Sequence, residues 1–147
     1  MPLRVWGDWE NEAKTGHDID YYRARDTRLD CRGDLRISPE ANIAHEVHII
    51  TAGHSPEPGH FGQVRVYPVH IEAGAFIGSC SILFNCRIGA GAIVRPGTVV
   101  LGRIVRPHTM VEGNPAMCIA YRLQGKWISH DEPHALKRMP KWDGKTL

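Results

Sequence analysis

Residues 71–82 read IEAGAFIGSCSI and residues 88–99 read IGAGAIVRPGTV. In both stretches an aliphatic residue opens each group of six, glycine, proline or a polar residue holds the middle places, and a small residue stands fifth. The period runs outward in both directions. Upstream lie ISPEAN (37–42), IAHEVH (43–48) and IITAGH (49–54); downstream lie VRPHTM (105–110) and VEGNPA (111–116). Two five-residue pieces, LFNCR (83–87) and VLGRI (100–104), shorten the count but keep the aliphatic opening. Eleven pieces thus begin with Ile, Leu or Val, while Ala41, Val47, Gly53, Ala75, Ser81, Ala92, Thr98 and Thr109 hold the fifth place.

A helix of 3.6 residues per turn does not gather every sixth residue on one stripe, and 15 glycines and 10 prolines disfavour long helices. A meander of hairpins calls for longer alternating strands and specific tight turns. The remaining solution is an all-β solenoid in which each six is a very short strand plus a corner. The opening residue points inward, and the small fifth residue fits the narrow interior beside the bend. Each coil then buries its aliphatic residues against its neighbours, at about 1.5–3 kcal/mol per buried Ile or Val before entropy. Arg87 stands where a small residue is expected, which predicts a corner tightened by one residue with the guanidinium turned outward.

The period breaks once, in IITAGHSPEPGHFGQVRVYPVHI (49–71), and resumes at Ile71. Its prolines and glycines cannot continue a strand ladder, so residues 55–68 are expected to leave the solenoid as an arm. The chain is read as a single domain: an N-terminal cap and irregular first coil over 1–32, the solenoid over 33–116, and a C-terminal cap over 117–147. The caps cover apolar ends and unpaired strand edges. A short helix is expected around 10–14, an edge strand over 118–123 and a second short helix around 134–139.

A length of 147 residues suits one compact domain. The net charge is +2 and the basic residues are scattered, which argues against nucleic acid binding by the whole surface but leaves a single anion pocket open. No run of about twenty apolar residues exists, and the first residues carry charges where a signal peptide has its apolar centre. A cytoplasmic protein with no membrane insertion is expected. The four cysteines lack CxxC spacing and are expected to be buried, reduced thiols. Nine histidines is a high count, and each deserves its own reading.

The sixes, together with ITAGHSPE (50–57) before the break and VEGNPAM (111–117) at the close, resemble the hexapeptide repeats of the left-handed parallel β-helix acyltransferases. The resemblance is to the group that includes maltose, galactoside, nodulation-sugar and colanic-acid-type O-acetyltransferases. It implies a left-handed helix, a homotrimer, and acetyl-CoA bound in a groove between adjacent helices. It also implies a sugar or nucleotide-sugar acceptor in a pocket completed by a neighbour's loop. His54 matches the family's catalytic histidine. Ser55, Glu57, His60 and Arg65, with Phe61 and Gln63, are the expected acceptor contacts because they project beside it. Phe76, Gly78, Ser81, Ala92, Arg95, Asn114 and Pro115 are the expected cofactor contacts.

The chemistry suits a histidine. A sugar hydroxyl is a poor nucleophile, and a base with a pKa near the working pH typically supplies about 10²–10⁴-fold. A thioester is already activated, so the reaction requires no metal. Three positions depart from the family pattern: Phe76 replaces a tryptophan, Arg103 an acidic residue, and Met117 a basic one after Gly-Asn-Pro-Ala. Arg95, Arg106, Arg122 or Lys126 then becomes the source of charge for the CoA phosphates. The helical N-terminal region of the maltose and galactoside enzymes has no recognisable counterpart, which favours the shorter capsule- or lipopolysaccharide-modifying relatives. Serine and antibiotic acetyltransferases share parts of the repeat, and O- and N-acetylation stay open. Two other classes compete. One is a non-catalytic scaffold or carbohydrate-binding solenoid, which has no need of His54. The other is a metal hydratase of the gamma carbonic anhydrase kind drawing three ligands from His45, His48, His54, His60 and His70; there His48 and His54 fall on successive faces and point apart.

Overall fold

The computed structural model describes residues 4–129. Three parallel sheets form the walls of a left-handed β-helix. The first contains β1 (Arg4–Trp6), β3 (Arg28–Asp30), β6 (His48–Ile50), β11 (Ile82–Phe84) and β14 (Val99–Leu101). The second contains β5 (Asn42–Ile43), β10 (Phe76–Ile77), β13 (Ile93–Val94) and β16 (Thr109–Glu112), and ends in β17 (Met117–Leu123) and β18 (Lys126–Ser129). The third contains β2 (Lys14–Thr15), β4 (Leu35–Ile37), β9 (Val69–Ile71), β12 (Cys86–Ile88) and β15 (Ile104–Val105). Outside this frame stand the hairpin of β7 (Ala52–His54) with β8 (Val64–Val66) and two short helices, α1 (Trp9–Glu12) and α2 (Ile19–Arg23).

All eleven opening residues are buried, none more than 3% exposed. They stack in register: Ile37, Ile71, Ile88 and Val105 on one wall; Ile43, Ile77, Val94 and Val111 on the next; Ile49, Leu83 and Val100 on the third. Strands of two to four residues are too short to hold together alone. Identical inward positions on successive rungs supply the burial that makes the ladder stable.

The corners follow a rule that the glycine-rich composition only hints at. From Glu46 onward, the fourth residue of six of the sixes takes a left-handed backbone: Glu46, Gly74, Cys80, Gly91, Gly97 and His108; IITAGH, which leads into the hairpin, does not, and VEGNPA does so at its third residue, Gly113. The two five-residue pieces do so at their third residue, Asn85 (φ 48) and Gly102 (φ 62). Glycine adopts this region freely and asparagine tolerates it, which is how a corner loses one residue without losing the turn. The expected outward turn of Arg87 is present: its Nε donates to Glu72 at 2.7 Å.

The N-terminal region is more ordered than expected. The helix anticipated around 10–14 occupies Trp9–Glu12, where Asp8 caps it by accepting from the Asn11 amide. The segment expected as an irregular first coil supplies β1 and β3 to the first wall and β2 to the third, in register with the later rungs. At the second wall no strand precedes β5 among the described residues; α2 stands there instead. Tyr21 accepts from the Ile43 amide at 2.8 Å, and the His17 Nε2 lies 2.8 Å from the Ala41 carbonyl oxygen. Two side chains therefore cap a sheet edge that has no partner strand. The Tyr21 ring is held between the stacked His17 ring (3.8 Å) and the Arg25 guanidinium (3.7 Å). Tyr21→Phe keeps this stack and removes the cap, and is expected to lower unfolding stability by about 1–2 kcal/mol, as read from urea denaturation midpoints.

At the other end, the expected edge strand exists as β17, but it runs antiparallel to β16 and is followed by β18 in a hairpin. The helix expected around 134–139 lies outside the described residues. Cys31 and Cys86 are buried free thiols, pushed up by burial to about 11 and about 12, and Cys118 is half-buried. Cys80 departs from the expectation of burial: it is exposed, because it occupies the left-handed place of a corner. No helix among the described residues is long and apolar enough to cross a membrane.

Candidate functional site

The interruption of the repeat becomes an antiparallel hairpin at the corner between the first and third walls. Its register pairs Ala52 with Val66, Gly53 with Arg65 and His54 with Val64. The departure starts at Ala52, three residues before the expected 55, because Thr51 is already pulled off the ladder. The Thr51 amide donates to the Asp30 Oδ2 at 3.2 Å, and its hydroxyl donates to the Asp30 carbonyl at 2.7 Å. The same hydroxyl accepts from the Gly33 amide at 2.9 Å. The Tyr67 amide closes the hairpin onto the Thr51 carbonyl at 2.7 Å. A Cβ on Gly33 would lie 2.4 Å from the Thr51 oxygen and 2.6 Å from the Tyr67 oxygen, so only glycine fits beneath both roots.

Asp30 is the centre of this clamp. It is 1% exposed, and its carboxylate receives the Arg32 fork through Nε at 2.8 Å and an Nη at 2.9 Å, together with the Arg32 amide at 3.2 Å. Burial pushes this carboxyl upward, but the Arg32 side chain and the two backbone donors outweigh burial and hold it below the ordinary carboxylate range. The Tyr67 ring packs on Phe84 of the first wall with centroids 4.8 Å apart, which fixes the exit of the hairpin.

His54 stands three residues beyond Thr51, at the end of β7 and exposed to solvent. Its imidazole makes no hydrogen bond among the described residues, leaving both ring nitrogens available. Past it, Ser55 is fully buried, and its hydroxyl accepts from the Glu57 amide at 3.3 Å. Ser55 thus shapes the turn, and its side chain is closed to an acceptor in this conformation. Glu57 and Arg65 face each other across the hairpin at 3.2 Å, and both remain more than 40% exposed. His60 lies at the tip, its Nδ1 3.1 Å from the Gln63 Oε1. The outer surface of the hairpin is apolar: Phe61, Val64 and Val66 are all more than half exposed.

The expected cofactor contacts divide into two kinds. Phe76 projects from the second wall, 43% exposed, in a register row with Asn42, Ile93 and Met110. Arg95, Asn114 and Pro115 are exposed, and the Arg95 Nε lies 3.8 Å from Glu112. By contrast Gly78, Ser81 and Ala92 are interior; the Ser81 hydroxyl donates to the Arg95 carbonyl at 3.1 Å. They pack the helix, and a ligand on its surface could meet only their backbone. Ser81 and Ala92 hold the fifth place of a six, a core position, so for those two the conflict was visible in the period itself. Gly113 to Ala116 closes the last coil, with the Ala116 amide donating to Val99. Of the alternative cations, Arg122 donates to the His108 Nδ1 at 2.9 Å and lies over the Trp127 ring.

The five histidines weighed as metal ligands do not converge. His45 is at a corner, His48 on the first wall, His54 and His60 on the hairpin, and His70 on the third wall. Among the described residues no group of three or more His, Cys, Asp or Glu side chains is placed to hold a metal ion. Sequence reasoning missed the Asp30–Thr51 clamp; the only signal was an Asp-Cys-Arg-Gly run in a segment without visible period.

The walls, rungs and corners define the chain as a left-handed parallel β-helix of the hexapeptide-repeat class. Neither a protein-family model nor a curated protein sequence matches it. Among solved structures it is similar to a maltose O-acetyltransferase of Clostridium difficile 630, with 21% identity and a TM-score of 0.67 over 84% of this chain and 65% of that one. It is also similar to the hexapeptide-repeat acetyltransferase VCA0836 of Vibrio cholerae in complex with acetyl coenzyme A (20% identity, TM-score 0.63, 82% of this chain, 64% of that one). A third is AntD, an N-acyltransferase of Bacillus cereus, in complex with dTDP and 3-hydroxybutyryl-CoA (22% identity, TM-score 0.58, 67% and 58%). The chain spans less than two thirds of the length of each of these three proteins.

Proposed function

We propose that this chain is an acyl-CoA-dependent acyltransferase that acetylates a hydroxyl or amino group of a sugar or nucleotide-sugar, with His54 as general base. The observation that carries the reading is the placement of His54. A buried, fully hydrogen-bonded clamp holds the root of the one hairpin that breaks the repeat, and it presents an imidazole with both nitrogens free. In the reaction, an imidazole nitrogen takes the proton from the acceptor oxygen or nitrogen as that atom attacks the thioester carbonyl. A backbone amide holds the developing oxyanion. The carbon–sulfur bond then breaks, and the departing thiolate of CoA recovers the proton from His54. Every step runs on groups of the protein and the thioester, and none calls for a metal.

The similar proteins support the donor and acceptor classes: one is described with acetyl coenzyme A, another with dTDP and a longer acyl-CoA. Glu57, His60 and Arg65 lie on the hairpin beyond His54 as acceptor contacts. Phe76, Arg95, Asn114 and Pro115 offer side chains to the donor. The exposed apolar hairpin surface favours a homotrimer in which a neighbouring copy covers Phe61, Val64 and Val66. A cytoplasmic location fits an enzyme that draws on CoA thioesters. Incubating the purified protein with acetyl-CoA and a panel of sugars and nucleotide-activated amino sugars, reading free thiol, is expected to show acceptor-dependent release. Silence with both oxygen and nitrogen acceptors overturns the reading in favour of a scaffold or carbohydrate-binding solenoid.

A further inference from the structure

The outward face of the third wall carries Lys14, Arg36, His70 and Arg87 as direct register partners on four successive strands. Neighbouring strands lie about 4.8 Å apart, and like charges placed directly opposite one another destabilise a sheet. Two carboxylates relieve part of the row. Asp34 accepts from the Arg36 Nε at 2.8 Å and lies 2.7 Å from the His70 Nε2; Glu72 accepts from the Arg87 Nε and from the Ala90 amide. Lys14 has no such partner among the described residues. The guanidinium of Arg36 and the imidazole of His70 are thus held by one shared acceptor, so both donors are set in place before any ligand arrives.

Two hollows open along this row, and His70 and Arg87 line both. One, of about 520 Å³, is bordered by Lys14, Arg36, Ser38 and Glu72. The other, of about 390 Å³, is bordered by Arg103 and Asn85 and has no carboxylate in its lining. Both volumes fall in the range of about 300–1,000 Å³ typical of small-ligand sites. Guanidinium forks match carboxylates and phosphates alike. Around the first hollow Lys14, Arg36 and Arg87, with His70 among them, stand against Glu72 in the lining and Asp34 behind Arg36 and His70, a surplus of cations that favours an anion with several acceptor oxygens. We propose that this face binds a phosphoryl anion, a phosphate ester or diphosphate, held by Lys14, Arg36, His70 and Arg87. The site stands on its own geometry and does not depend on acyl transfer or on His54.

Isothermal titration of the whole chain with inorganic pyrophosphate at low ionic strength tests it. Saturable binding is expected, weakened about tenfold or more by the Lys14→Gln/Arg87→Gln pair. Lys14→Gln alone, which leaves no partner behind, is expected to weaken it in the same direction. Arg23→Gln, which removes an equal charge from α2, is expected to change nothing. The proposal is overturned by no binding to the unmodified protein, by equal loss in the Arg23 variant, or by unchanged affinity in both Lys14 variants. Glucuronate binding more tightly than pyrophosphate also overturns it, since the ligand would then be a carboxylate.

Discussion

His54→Ala is expected to reduce acetyl transfer by about 10²–10⁴-fold, the usual contribution of a positioned general base, without changing the melting temperature or the oligomeric state. The side chain is exposed and makes no hydrogen bond among the described residues, so its loss opens no cavity and strands no buried partner. The drop should appear in kcat with little change in the KM for acetyl-CoA, because the imidazole acts as the acceptor proton moves. His60→Ala is the internal comparison. It stands on the same hairpin, its ring bonded only to Gln63 among the described residues, and is expected to alter acceptor KM more than kcat. Steady-state rates by thiol release check both variants. If His54→Ala turns over acetyl-CoA as fast as the unmodified chain, the imidazole is not the base.

Asp30→Ala is expected to cost about 1–3 kcal/mol of stability, because it leaves the buried Thr51 amide without its acceptor and releases the partly exposed Arg32 fork to water. Asp30→Asn keeps the shape and loses the charge, and should fall between the two. Both variants should also depress transfer at temperatures where the chain remains folded, since the clamp sets where β7 leaves the wall. The pH dependence has a definite sign. The folded carboxyl lies below its ordinary value, so its contribution is complete above the unfolded value of about 3.9 and is lost as pH falls through the lower folded one. Chemical denaturation at neutral pH and again in acid checks this: the gap between the unmodified protein and Asp30→Asn should narrow in acid.

Much of the helix could be read from residues alone. Ile37, Ile71, Ile88 and Val105 announce a wall because a coil returns each to the same inward direction, and their side chains have nowhere else to go. The tightened corner at Arg87 was legible for a related reason: a count of five with the aliphatic opening retained leaves no room for another corner. The N-terminal coil was not legible. Its rungs are single, separated by helices, and Tyr21 and His17 replace a strand through side chains 22 and 24 residues distant from their partners. No local pattern marks that substitution. The hairpin was foreseen only as an arm. Its pairing of Gly53 with Arg65 depends on closure at Thr51 and Tyr67, and on the room that Gly33 leaves beneath them.

The placement of the site residues divides the same way. His54 was assigned by resemblance; what the period itself marked is the interruption beside it, which is a property of the sequence. Ser81 and Ala92 were carried over by resemblance and turn out to face inward, because a period of six commits the fifth place to the interior; Gly78, a second place, is buried against the Arg95 and Pro96 backbone. By itself the sequence determined the coil, the inward residues and the point of interruption, since each follows from a short-range repeat of shape and hydrophobicity. Only the tertiary structure decided which distant groups meet. Asp30 under Thr51, Tyr21 on Ile43, and the row from Lys14 to Arg87 arise because coiling stacks residues that lie 17 or more positions apart onto neighbouring rungs.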